Sequence, residues 1–332
     1  MITIKKGGLL TTVQDLGRYG YQKYGVVTSG AMDQLAHRIA NLLVGNEEYL
    51  PTLEITLIGP TILFHEDTLI AICGANLSPT INDKAVRLWR TVLIKKGSEL
   101  KFVKCKKGCR AYLAVAGGFS IPTVLKSKST YLRAGFGGFK GSTLNMGDHL
   151  FFEKPSKLST DMMAKLLERN SNEFVEEKWS VSSQFISIYN EYIPIRVIKG
   201  RQYHLFTKES QQQFFKEKFE VTPQSDRMGY RLRGPSLTLK NREEMISEAV
   251  GLGTIQVPAD GNPIILLADR QTIGGYPKIA DVVTVDIPLL AQAKPKDFIQ
   301  FIEISHEEAQ LLYIERERLL LQIKHGIKHK YE

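Results

Sequence analysis

Gly253–Asp281 reads GTIQVPADGNPIILLADRQTIGGYPKIAD. Its centre, PIILLAD, has the length and aliphatic content of a buried β-strand. It runs straight into Asp269, Arg270, Gln271 and Thr272, then a Gly-Gly pair and Tyr276-Pro277. A strand with polar groups at its end reads as a rigid wall with a chemical lip, and the rest of the chain supplies more such walls. LEITLIGPTILF and TLIAICGANLSPTIND are short runs of Ile, Leu and Thr broken by Gly-Pro and Asn-Asp turns. AVRLWRTVLIKKGSELKFV partly alternates around a turn at Lys96-Gly97, and CRAYLAVAGGF is a buried strand ending in Gly-Gly. Many short strands with few helices point to a mainly β chain of barrels or sandwiches.

One helix is clear in the first half. MDQLAHRIANLLVGN places Leu35, Ile39, Leu42 and Leu43 on one face, with Asp33 as N-cap and Gly45 as stop. Composition shifts after Lys154 to a polar, Ser-rich stretch with a short helical pattern at Met162–Leu167. The expected organisation is therefore a first β domain over 1–154, a connection over 155–190, a second β domain over 191–304 and a C-terminal amphipathic helix over 305–332. The halves echo each other: QDLGRYGYQKYG against QSDRMGYRLRG, and AYLAVAGGF against IILLADRQTIGGY. This suggests a duplicated β-domain.

The 332 residues are 43% hydrophobic and 24% charged, with a net charge of +9, which suits an ordinary globular chain of about two domains. The positive residues are scattered, with mild clusters at Lys104–Lys107 and Lys324–Lys330, so nucleic acid is not an expected partner. Cys73, Cys105 and Cys109 form no zinc-type spacing and read as free thiols of a reducing compartment. The start, MITIKKGGLL, lacks the apolar core of a signal peptide, and no apolar run approaches about 18 residues. A cytoplasmic location without membrane contact is expected.

Familiar catalytic patterns are absent: no G-x-S-x-G, no H-E-x-x-H and no metal-ligand set. GFGGFKGST (Gly135–Thr143) resembles a phosphate loop, but Lys140 precedes Gly141, so a glycine-rich turn is the better reading. What remains are three polar loops. In LLADRQTIGGYP, the Arg270 fork suits a carboxylate or phosphate, Gln271 suits an amide, and Gly274 and Gly275 allow close backbone approach. A buried Asp269–Arg270 pair capping a barrel end is the structural alternative. TPQSDRMGYRLRG carries Gln224, Ser225, Asp226, Arg227 and Tyr230, or alternatively a tight turn held by Asx hydrogen bonds. The loop before the helix carries Gln14, Asp15, Arg18, Tyr21, Ser29 and Asp33.

QDLGRYGYQKYGVVTSGAMD, LEITLIGPTILF, RAYLAVAGGFSIP, QSDRMGYRLRGPSL and GTIQVPADGNPIILLADRQTIGGYPKIADV together resemble the biotin-dependent carboxyltransferase, or allophanate hydrolase subunit 2, family. The resemblance runs from Met1 to about Ile304. It implies two cyclophilin-like β-barrel domains with a few helices. The family's free-standing bacterial members are C subunits of ATP-dependent 5-oxoprolinase, also called KipA. They work with a B-type (KipI-like) subunit and an A-type (LamB/YcsF-like) subunit. The implied reaction opens 5-oxo-L-proline to L-glutamate, with ATP as co-substrate of the complex. This chain offers no phosphate loop, so an A or B subunit is expected to contribute to the nucleotide site. Two other roles follow from the same resemblance: a regulatory protein that binds a KipI-like inhibitor of a sensor kinase, and a biotin-dependent carboxyltransferase acting on a urea-like amide.

On this reading Arg270 grips a substrate carboxylate or acyl phosphate and Gln271 the lactam amide. Asp269 orients Arg270, while Tyr276 and Pro277 shape the wall. Asp226–Arg227 and Asp15–Arg18 face the same cleft or the B subunit. Three positions depart from the family pattern: Ser142 follows Gly141 where Arg is common, Ile273 replaces a Thr before Gly-Gly, and Lys296 replaces the Gly of Pro-Gly-Asp.

Overall fold

The structure, a computed structural model, describes residues 1–169, 173–182, 192–241 and 245–331. The chain forms two compact units. The first comprises Met1–Arg18, Asp33–Ser187 and Arg318–Glu332; the second comprises Tyr19–Met32 and Ile188–Glu317. Both are built mainly from strands, as the short Ile-, Leu- and Thr-rich runs require.

The first unit has two six-stranded sheets. The long strands Thr68–Asn76 and Lys107–Val115 pair antiparallel at the centre of one sheet, with Tyr112 opposite Cys73. Ile2, Ile62 and Leu100 of the other sheet share a buried core with Ile55, Ile72 and Leu113 of the first. The expected helix runs Gln34–Leu43, and the Asp33 carboxylate accepts a hydrogen bond from the Ala36 N–H at 2.8 Å. Such a cap contributes about 1 kcal/mol. Of the expected connection, residues 170–172 and 183–190 lie outside the described residues. Its described part contains a helix, Lys157–Leu167, and a strand, Phe174–Glu176, that pairs with Thr91–Ile94.

The second unit is a closed barrel of seven strands. Six neighbouring pairs are antiparallel. The seventh closes the barrel in parallel, with Ile193 opposite Ile299 and Val197 opposite Glu303. Phe214, Phe219 and Phe301 fill one end of its core, with the Phe214 and Phe301 rings stacked at 4.5 Å. Met32 belongs to the same core although it lies far away in sequence. The C-terminal helix spans His306–Tyr331. Among the described residues no helix is long and apolar enough to cross a membrane. Among the described residues the three cysteines form no disulfide.

Candidate functional site

The strand Ile264–Leu266 pairs with Gly229–Arg233, setting Gly229 opposite Leu266. The ladder continues past the strand end. Leu267 N–H donates to Met228 C=O at 2.9 Å and Asp269 N–H donates to Arg227 C=O at 2.8 Å. Two of the three polar loops, Gln224–Arg227 and Asp269–Thr272, are thereby brought together.

Their pairing differs from expectation. Asp269 does not engage Arg270. It takes two hydrogen bonds from Arg227, Nε to Oδ2 at 2.9 Å and Nη2 to Oδ1 at 3.2 Å. Both side chains are almost fully buried, at 6% and 7% exposure. Arg227 Nη2 also donates to the Gly30 carbonyl at 2.6 Å, tying the segment Tyr19–Met32 to the barrel. A fork-to-fork pair of this kind stabilises only while both partners are present. Asp269 and Arg227 therefore brace the two loops against each other, and Asp269 does not orient Arg270.

Arg270 is left with a different environment. It is half-buried, its Nη1 donates only to the Leu267 carbonyl at 3.3 Å, and its buried Nε has no hydrogen-bond partner among the described residues. No acidic side chain among them pairs with it. Burial pushes its pKa below the ordinary arginine value, and Tyr19 opposes that shift electrostatically. Tyr19, an exposed aromatic absent from the expected site residues, is thus within electrostatic reach of it; the crowded RYGYQKYG run was the available signal. Gln271 is exposed next to Arg270, with no side-chain hydrogen bond among the described residues. Thr272 offers its carbonyl to Val250 N–H at 3.2 Å.

Gly275, Tyr276 and Pro277 line a cavity of about 670 Å³ together with Phe206, Leu237 and Val257. Among the described residues no charged side chain lines it. Gly274 serves packing: a Cβ there would lie 2.7 Å from the Gln256 amide nitrogen.

The remaining expected residues are tied up within the fold. Asp226 Oδ1 accepts from Met228 N–H at 2.8 Å and Gly229 N–H at 3.3 Å, the Asx-turn alternative. Ser225 bonds Arg231 N–H at 3.1 Å, and Gln224 is exposed on the same turn. Tyr230 is buried in the barrel core, and its hydroxyl donates to the Ala293 carbonyl at 2.9 Å.

In the other unit, Asp15 accepts from Ser127 Oγ at 2.8 Å and from Gly17 N–H at 2.8 Å. Gln14 donates to the Thr130 carbonyl at 3.2 Å. Fully buried Arg18 donates to the Ser129 carbonyl at 2.5 Å and lies 4.7 Å from the Phe136 ring centre. These three residues clamp the 127–136 loop. The glycine run behind it is a packed turn, since a Cβ on Gly137 would sit 2.2 Å from the Ser129 carbonyl oxygen. Among the described residues no group of three or more His, Cys, Asp or Glu side chains is placed to hold a metal ion.

Comparison with known proteins agrees with this architecture. The chain is 37% identical to the 5-oxoprolinase C subunit of Haemophilus influenzae over 320 residues, 96% of each chain. It is 37% identical to the Escherichia coli K12 protein of the same name over 325 residues, 97% of each. A crystal structure of the K. lactis urea amidolyase superposes with a TM-score of 0.87 at 32% identity, covering 97% of this chain and 20% of that larger one. Residues 24–303 match the family model described as carboxyltransferase domain, subdomain A and B, and the chain is a member of that family.

Proposed function

We propose that this chain is the C-type member of a cytoplasmic ATP-dependent 5-oxoprolinase, which opens 5-oxo-L-proline to L-glutamate together with A- and B-type subunits. The observation that carries the reading is Arg270, a half-buried guanidinium with no acidic partner among the described residues, beside the uncommitted amide of Gln271. A buried cation without a counter-ion is costly, and a substrate carboxylate would relieve that cost. Gln271 can donate to and accept from the lactam amide at the same time. Full-length similarity to two 5-oxoprolinase C subunits supports the substrate. The likeness to a urea amidolyase favours a second reading, in which the same pair holds a urea-like amide during carboxyl transfer from biotin.

The test is ATP-dependent glutamate release by this chain alone, with a B-type subunit, and with A- and B-type subunits. Turnover is expected only from the full set. Arg270→Lys loses the planar fork and should lower kcat/KM of the complex about ten- to a thousandfold. The melting temperature should not change. Full activity in a normally melting Lys variant would remove Arg270 from the site.

A further inference from the structure

Four loops meet at one end of the first unit and carry exposed apolar tips. Leu9 is 59% exposed, Ile58 62%, Val103 65% and Met146 79%. Their proximity is built in. Leu9 N–H donates to the Ile58 carbonyl at 2.8 Å. A Cβ on Gly59 would lie 2.6 Å from the Phe102 ring, so the loop bearing Ile58 touches the one bearing Val103. A Cβ on Gly7 would lie 2.4 Å from the Leu144 carbonyl oxygen, which seats the turn of Met146 beside the loop of Leu9. Leu57, next to Ile58, holds φ at 56°, a left-handed conformation that costs a leucine about 1–2 kcal/mol. Clustered aliphatic tips of this kind mark an interaction surface, whereas single exposed apolar residues do not.

The surrounding charge is mostly positive. Lys5 and Lys6 precede the Leu9 loop, and Lys104 and Lys106 follow Val103. All four are exposed, and none has an acidic partner among the described residues. Asp148, the nearby carboxylate, is already engaged by Lys140 at 3.5 Å and by Asn145 N–H at 2.8 Å.

We infer that this end of the first unit, with Leu9, Ile58, Val103 and Met146 ringed by unpaired lysines, docks the B-type partner through an apolar patch with an acidic rim. The inference rests on the proposed role as one member of a multi-subunit enzyme. An apolar centre with a charged rim is the ordinary anatomy of a protein interface, and the lysine ring selects an acidic counterpart. An anionic lipid surface is the competing occupant. It is disfavoured by the aliphatic tips, since interfacial membrane segments rely on Trp and Tyr as well.

The experiment measures calorimetric affinity between the full chain and the purified B-type subunit from the same organism. Leu9→Asp/Ile58→Asp should weaken binding at least about a hundredfold, and Lys104→Glu/Lys106→Glu about tenfold, with a flatter salt dependence. Circular dichroism and melting should not change, because all four side chains are exposed. Unchanged affinity in both folded variants overturns the docking face while leaving the proposed enzymatic role intact. No association of the unmodified chain with the B-type subunit overturns both. Binding to phosphatidylglycerol vesicles that both variants lose, with affinity for the B-type subunit unchanged, gives the face to lipid and overturns the proposal.

Discussion

The buried Asp269–Arg227 pair makes a sharp prediction, because it assigns to stability a residue whose position beside Arg270 suggests catalysis. Asp269→Ala removes both carboxylate oxygens from the Arg227 fork, at 2.9 and 3.2 Å, and leaves a guanidinium at 6% exposure without its buried counter-charge. Stranding one member of a buried ion pair costs about 3–5 kcal/mol. For a unit of this size that corresponds to a fall in melting temperature of about 10 °C. Asp269→Asn keeps the shape and one acceptor, so it should lose about half as much. The double variant Asp269→Leu/Arg227→Met removes both charges and should recover most of the loss. Urea unfolding followed by circular dichroism gives the three values, and glutamate release by the assembled complex gives activity alongside them. If Asp269→Ala loses less than about 1 kcal/mol while activity collapses, the carboxylate acts on substrate and the bracing role is wrong.

Two further outcomes follow from buried polar groups. His37 is fully buried against Thr52 Oγ1 at 2.9 Å, and burial lowers its pKa from 6.5 to about 4. The unfolded chain therefore binds this proton more readily, so stability is complete above pH 6.5 and declines as pH falls. About 2 kcal/mol should be lost between pH 6.5 and pH 5, and His37→Gln should flatten that slope in urea titrations. Tyr230→Phe removes the bond to the Ala293 carbonyl and should cost about 1–2 kcal/mol without altering kcat/KM.

Local features were legible in the sequence. The Asp33 cap, the helix behind it and the strand before Arg270 depend on neighbours a few residues apart, so periodicity and turn residues exposed them. The pairing within the polar loops was not legible. Asp269 adjoins Arg270 in sequence, but the turn after Leu267 points its carboxylate at Arg227, 42 residues away. Tyr230 lies on a strand whose alternation aims it inward, which a motif reading of the loop could not see. Gln14, Asp15 and Arg18 look like a binding lip only until the 127–136 loop, more than a hundred residues later, folds over them. The parallel closure of the barrel left no trace in any local pattern.

That closure bears on how the protein is made. The strand around Ile195 cannot complete the barrel until Phe301 has left the ribosome, about a hundred residues later. At roughly 5–20 residues per second, several seconds pass with the strand's partner missing and its apolar side chains uncovered. Met32 and the Gly30 carbonyl must also wait for the barrel they complete. The nascent second unit therefore passes through a stage at which its open apolar wall is available to a chaperone. Synonymous codons that slow translation between Lys199 and Phe298 should lengthen this exposure and lower the soluble yield.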